Sequence, residues 1–508
     1  MFAAVNSMGL LGIDGFMVQV EADISKGLPG FDVVGLPDAA VRESRDRVRA
    51  AIKNGGYQYP VSRITINMAP ANVRKVGSVY DLPLLLGILK ASGQLEADTD
   101  HMAFIGELSL VGELRPVTGV LSMVIAAREN GIQEVFLPAE NAAEGAVVDG
   151  IRCYPVHTVT ELVSHLLGIQ PLSPVEPWTP DPDQHTPVPD FADVMGQPIA
   201  RRVMEIAAVG SHNVLLIGSP GAGKSMLAKR LPGILPDMTA DEALEATKIH
   251  SVADALSAGT GLLQQRPFRS PHHTVSVAGL TGGGTTPRPG EVSLAHHGVL
   301  FLDELPEFSR QSMESLRQPL EDNKVTISRV NATVTYPCTF MLVAAMNPCP
   351  CGFYGHPSHP CTCSPQAVRR YLSRVSGPLL DRIDLHIEVP PVKFDELASK
   401  KKAESSADIR ARVNRAREIQ NRRFAGTDIT CNAHIPDSQI KKWCPVSESG
   451  EQLLRDVFDK LGLSARAYNR ILKVARTIAD MDEQEIIDFA HIAEAVQYRS
   501  LDRKYWGE

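Results

Sequence analysis

Gly218-Ser219-Pro220-Gly221-Ala222-Gly223-Lys224-Ser225 decides the fold of this chain. It satisfies the phosphate-loop pattern G-x-x-x-x-G-K-[ST] at each fixed position. The apolar run Val214-Leu215-Leu216-Ile217 before it reads as a buried parallel strand, and Met226 to Leu231 behind it reads as the start of a helix. Glycines let successive backbone N–H groups close around a triphosphate, and the helix N-terminus adds partial positive charge. Gly218 through Ser225 is therefore the expected cradle for ATP, with Lys224 reaching the β- and γ-phosphates and Ser225 ligating Mg²⁺.

A phosphate loop needs acidic partners. Gly298-Val299-Leu300-Phe301-Leu302-Asp303-Glu304 is a continuous apolar strand ending in two carboxylates. Asp303 is expected to hold Mg²⁺ and Glu304 to polarise the attacking water. A third strand, Phe340 to Met346, ends at Asn347, an amide suited to position that water from the other side. In Gly377-Pro378-Leu379-Leu380-Asp381-Arg382-Ile383-Asp384, Arg382 reads either as an arginine finger for a neighbouring subunit's site or as the ion-pair partner of Asp381 or Asp384. Leu463-Ser464-Ala465-Arg466 opens a helix continuing through Arg476. Arg466 is a candidate γ-phosphate contact coupling hydrolysis to movement of that helical region; the competing reading is an ordinary helix-start arginine.

At 508 residues the chain exceeds a single core and must divide into domains. Seven prolines within 171–189 forbid helix or sheet interior and mark an extended linker. Before it, residues 1–170 mix alternating strand patterns (17–22, 64–68) with helical ones (38–54, 120–130), an α+β domain. Residues 190–395 alternate strand and helix signals as a parallel α/β core does, and 396–508 read as a helical lid. No run of about 18 apolar residues marks a membrane helix. The first residues lack the cationic start of an export signal, so the expected location is the cytoplasm. A net charge of −8 excludes a generally basic surface, so any nucleic-acid contact must be concentrated in a channel or on one face.

Four of the eight cysteines crowd into 349–363 as two C-x-C pairs, Cys349/Cys351 and Cys361/Cys363. Four thiolates suit a closed structural Zn²⁺ knuckle, in which His356 or His359 could replace one ligand; reduced structural cysteines are the other reading. Two insertions are candidate pore loops. Ser270 to Gly290 is too rich in Gly and Pro for core structure, and Lys324 to Tyr336 reads as a β-hairpin turning near Arg329–Asn331. Lys324 and Arg329 are candidate DNA phosphate contacts with little base preference, unless the hairpin only packs subunits. Arg42, Arg45, Arg49 and Lys53 share one helix face, either solvated or in contact with DNA or a neighbouring subunit. The arginines between 410 and 423 spread around their helix and read as solvated or interfacial.

Loop, acidic strand, Asn strand, finger arginine and helical lid, in this order, are similar to an AAA+ ATPase. More narrowly, Glu291 to Pro306 and Ala344 to Gly352 resemble the magnesium-chelatase branch, and the whole chain resembles the ComM/YifB family within it. The resemblance implies a ring-forming, hexameric, ATP-driven motor. It would act as a helicase or branch-migration enzyme on single-stranded or branched DNA in natural transformation, with recombination proteins as partners. It puts Asp303 and Glu304 on the family's Walker B positions, Asn347 on sensor 1, Arg382 on the arginine finger and Arg466 on sensor 2. Residues 63–140 resemble the Lon-protease-like (ribosomal S5 domain 2-like) fold. In that likeness Val79 stands at the position of the nucleophilic serine and Leu121 at that of the catalytic lysine. An apolar pair supplies neither nucleophile nor base, so the domain is expected to be a non-proteolytic scaffold. The alternative for the whole chain is a chelatase-like or protein-remodelling ATPase that does not act on DNA.

Overall fold

Val214–Ile217, Val299–Leu302 and Met341–Met346 are buried at every residue, the pattern of strands covered on both faces. In the computed structural model they form a wholly parallel five-stranded sheet with Phe268–Arg269 and Leu385–Glu388. Numbered by chain order the strands lie 2-3-4-1-5, so connections depart in opposite directions on either side of Val214–Ile217. Ligands of such sheets bind in the crevice beyond the strands' C-terminal ends at that switch point. The residues described are 1–180, 187–257, 259–284, 287–329, 332–392, 403–461, 463–499 and 501–506.

The chain divides into two compact units, Met1–Asp183 with Ala243–Gln264, and Gln184–Glu242 with Gln265–Glu508. The parallel sheet belongs to the second. Its core also takes in apolar residues of Ser406–Arg423 (Ile409, Val413) and Ala465–Met481 (Ile471, Ile478), so the C-terminal helices and the sheet bury one continuous apolar interior. The expected division between core and lid near 395 falls outside the described residues.

The first unit holds a seven-stranded mixed sheet, with Gly30–Val34 at one edge and Arg152–Val156 at the other. Asp14–Ser25 and Arg63–Ala69 alternate buried and open residues as their sequence pattern requires. Ala39–Asn54 starts at Asp38, whose carboxylate accepts from Val41 N at 2.9 Å, a standard N-cap. Residues 243–264 join this unit although they follow the phosphate loop in sequence. Gly119 N donates to Ser251 O at 3.2 Å, the Ser251 hydroxyl donates to Glu144, and Gly261 lies against Trp178. The proline-rich stretch carries neither helix nor strand as far as it is described. Val175 N donates to Cys153 O and Trp178 N to Ala146 O, each at 2.8 Å, while 181–186 lie outside the described residues.

Candidate nucleotide and metal sites

The loop from Gly218 to Gly223 curls because Gly221 (φ 78°) and Gly223 (φ 94°) adopt left-handed backbone closed to most side chains. A side chain at Gly218 would stand 2.4 Å from Val389 O. Gly223 then opens the helix Lys224–Arg230. Met346 and Asn347 border the same pocket from the neighbouring strand, and Gly218 N donates to Met346 O at 3.2 Å.

Within this pocket the side chains expected to act together do meet. Ser225 Oγ donates to Asp303 Oδ2 at 2.6 Å, and Glu304 N donates to Asp303 Oδ1 at 3.0 Å. These are hard oxygen donors of the kind Mg²⁺ takes. Lys224 Nζ donates to Gly218 O (2.8 Å), Ser219 O (3.0 Å) and Asn347 Oδ1 (3.1 Å). Burial pushes the Lys224 ammonium below its ordinary pKa, while Asp303 and then Glu304 act in the opposite direction. Glu304 sits at φ 52°, an uncommon conformation for a non-glycine residue. Its exposed carboxylate lies 3.7 Å from Nδ1 of His273, a neighbour the sequence reading did not single out.

Arg382 and Arg466 are elsewhere. They line a separate cavity of about 400 Å³ with Glu321, Arg470, Lys473 and His434, bordered also by Ser211 and Asn213 just before strand Val214–Ile217. Neither lines the phosphate-loop pocket of their own chain. Arg382 is buried and pairs with Glu321 (Nη2 to Oε2, 2.5 Å), not with Asp381 or Asp384; its Nη1 donates to Pro378 O at 2.6 Å. Its Nε is buried without a hydrogen-bond partner among the described residues. Asp384 is taken by other partners: an ion pair with Arg470, Nδ1 of His212 at 3.4 Å, and Asn213 N at 3.1 Å. Burial alone would raise this carboxyl; Arg470 and His212 outweigh it and hold Asp384 well below the usual carboxylate range. Arg466 is exposed, in the first turn of Ala465–Met481, which Ser464 caps through Ala467 N. Arg470 follows it by four residues, a spacing that shares one helix face and could have pointed to it.

The two C-x-C pairs converge. Sγ of Cys349, Cys351 and Cys361 lie 3.3–3.7 Å apart, and all four sulfurs fall within 4.8 Å of one another. A tetrahedral Zn²⁺ with Zn–S of about 2.3 Å needs sulfurs about 3.8 Å apart. The Cys351 thiol is held at about 5, chiefly by the backbone N–H of Phe353 and also by that of Thr362. His356 and His359 lie close together, and His356 Nδ1 accepts from backbone N–H groups of Ser358 and His359.

Lys324–Arg329 and Ala332–Pro337 form the expected hairpin; its turn residues Val330 and Asn331, like Thr285 and Thr286 of the Gly-rich insertion, lie outside the described residues. One face is apolar: Ile327 packs near Gly282, and Tyr336 donates to Pro287 O at 2.9 Å, joining the two insertions. The other is polar and exposed, with Thr326 paired to Thr335 and Ser328 to Thr333. Lys324 and Arg329 are both exposed; Lys324 shares the polar face, whereas Arg329 alternates onto the face of Ile327, its guanidinium near Gly283. Of the arginines between 410 and 423, Arg412 pairs with Glu205 and Glu404, and Arg423 with Asp480. Arg417 donates to Ala208 O. In the first unit Val79 and Leu121 are core residues, Lys75 is buried with its ammonium on Pro70 O, and Ser78 donates to Glu107.

Three family profiles match: "Magnesium chelatase, subunit ChlI" over 190–397, "Subunit ChlI of Mg-chelatase" over 20–141, and "Magnesium chelatase, subunit ChlI C-terminal" over 403–499. The chain is 44% identical to YifB of Escherichia coli, over 98% of this chain and 97% of the relative. It is also 44% identical to the competence protein ComM of Haemophilus influenzae, over 99% and 98%. A Mycobacterium tuberculosis protein, Rv2897c, is 42% identical over 97% of each chain. Among the described residues, no helix is long and apolar enough to cross a membrane.

Proposed function

The chain belongs to the ComM/YifB family of magnesium-chelatase-like AAA+ proteins, and on that premise we propose that it is a hexameric, ATP-driven DNA motor of the cytoplasm. The observation that carries the ring is the separation of two half-sites. Loop, Mg²⁺ donors, Glu304 and Asn347 share one pocket, while Arg382 and Arg466 share another. A heterologous, head-to-tail interface joins unlike surfaces of successive copies and closes into a ring. In that ring the Arg382 cavity of one copy meets the phosphate loop of the next.

Lys224 then holds the β- and γ-phosphates, and Ser225 and Asp303 are the residues that would hold Mg²⁺, which would supply neutralisation of phosphate charge. Glu304 accepts the proton of the attacking water, which Asn347 helps to orient. Arg382, with one buried guanidinium N–H unsatisfied, is suited to donate to charge developing on the transferred phosphoryl group. Arg466 adds a second cation from the helical region. The four cysteines would hold a structural Zn²⁺. The first unit is a Lon-protease-like scaffold without proteolysis, because Val79 and Leu121 are buried aliphatic side chains.

The DNA reading is supported by the competence protein among the relatives and by the hairpin, whose exposed polar face carries Lys324 and whose far end carries the exposed Arg329. Contacts of this kind grip phosphates without reading bases. They suit single-stranded or branched DNA and work alongside recombination proteins. The test is the ATPase rate with and without single-stranded, forked and four-way-junction DNA, with Glu304→Gln as control. DNA stimulation, together with ATP-dependent strand displacement lost in the variant, is the expected result. A rate indifferent to every DNA form, with no binding at low salt, would favour a chelatase-like or protein-remodelling ATPase instead.

A further inference from the structure

The cysteine turn meets the phosphate loop where Gly352 lies against the ring of Pro220. Gly352, between Cys351 and Phe353, lies at φ 84°, and a methyl group built on it would stand 2.4 Å from Cδ and 2.7 Å from Cγ of Pro220. Its own N–H donates to Cys349 O at 3.0 Å, so the four-cysteine turn fixes its position. A second connection runs through the residues before Cys349. Asn347 Oδ1 accepts from Lys224 Nζ at 3.1 Å, and Met346 O accepts from Gly218 N at 3.2 Å. The knuckle and the strand leading into it therefore hold the loop at Gly218, Pro220 and Lys224. Backbone N–H groups of a phosphate loop act only when aimed at the phosphates, and displacements of about 1 Å are costly in such sites.

We propose that the Zn²⁺-loaded knuckle is a clamp that sets the conformation of the phosphate loop. Nucleotide affinity then depends on metal occupancy and on a bare Cα at position 352. This rests on reading the four cysteines as a zinc site and the loop as a nucleotide site. Gly352 is a positioning residue, acting on the nucleotide through Pro220.

The test uses the full chain, a fluorescent ATP analogue in Mg²⁺ buffer, and zinc content measured by atomic absorption. Gly352→Ala should retain zinc and weaken analogue binding about tenfold, the scale of one overpacked contact. Gly355→Ala is the control. It has the same left-handed backbone (φ 76°) in the same turn, but a methyl group there meets nothing within 4 Å, so binding should change less than about twofold. In a Pro220→Ala background, which removes both clashing atoms, Gly352→Ala should cost less than about twofold again, the signature of direct coupling. Protein stripped with a zinc-selective chelator and returned to Mg²⁺ buffer should lose affinity and regain it with zinc.

Equal losses from Gly352→Ala with and without Pro220 would overturn the contact. Stripped protein that keeps its far-ultraviolet circular dichroism and binds the analogue as before would overturn the clamp. Purified chain that neither carries nor takes up zinc would overturn it by removing the metal, and wild-type chain that binds no analogue would do so by removing the nucleotide site. These last two are separate readouts.

Discussion

At the C-terminal end of strand Val214–Ile217 the chain gathers a phosphate loop, two carboxylates and an amide; at its N-terminal end, Ser211 and Asn213 border a cavity lined by Arg382, Arg466, Arg470 and Lys473. The strand between them spans about 13 Å. One end offers backbone N–H donors, the oxygens of Ser225 and Asp303, and the Glu304 carboxylate, with Lys224 as the one Lys or Arg lining it among the described residues. The other concentrates Arg382, Arg466, Arg470 and Lys473 around the carboxylates of Glu321, Asp384 and Asp437. On the proposed reading, phosphoryl-transfer machinery is divided between two ends of one sheet, and a second copy would bring them together.

The largest effect is expected from the cationic end. Arg382→Ala should lower ATP hydrolysis about 10³-fold while leaving nucleotide binding by the loop nearly intact, since finger arginines act on the transition state. Phosphate release and analogue affinity measured side by side check this. Equal losses in both would break the division of labour. At the opposite end, Glu304→Gln should lower the rate by about 10²–10³-fold, again with affinity retained, the effect of losing a general base.

Asp384 lines the cationic cavity and not the phosphate-loop pocket, so its replacement probes the cavity alone. Asp384→Ala leaves Arg470 and His212 without their buried carboxylate and should cost about 3–5 kcal/mol of stability. The folded-state carboxyl is held below its ordinary value. Its contribution is therefore complete above about pH 4, the unfolded-state value, and is lost only as pH falls through the lowered one. Urea unfolding at neutral pH should show the full difference between parent and variant, and the gap should shrink only in strong acid. The smallest effect belongs to the hairpin. Lys324→Ala with Arg329→Ala should weaken DNA binding severalfold and flatten its log–log salt dependence by about one to two counterions. Fluorescence anisotropy titrations at several salt concentrations measure it.

The phosphate-loop end was legible in the sequence because each of its parts is local. A buried aliphatic strand followed immediately by a loop, a carboxylate pair or an amide carries its own context, as at Ile217–Gly218, Leu302–Asp303 and Met346–Asn347. Pairings across the chain were not legible. Arg382 suggested its sequence neighbours Asp381 and Asp384 as partners, yet Asp384 is taken by Arg470 and His212, and Arg382 pairs with Glu321, 61 residues earlier. Periodicity could identify the helix Ala240–Val252 without saying that most of it joins the N-terminal unit. The C-x-C spacing announced the cysteine cluster, but the approach of Gly352 to Pro220 follows only from how the turn folds back.

The most direct test of the divided site is complementation between chains that are each defective at one end. Arg382→Ala and Glu304→Gln chains, mixed in equal amounts and allowed to reassemble, are assayed for ATP hydrolysis. Where the intact loop of one chain meets the intact cavity of the other, a complete site forms; random pairing at heterologous interfaces predicts recovery to about a quarter of the wild-type rate. A mixture no faster than the average of its two components would contradict the account, because both ends would then have to act within a single chain.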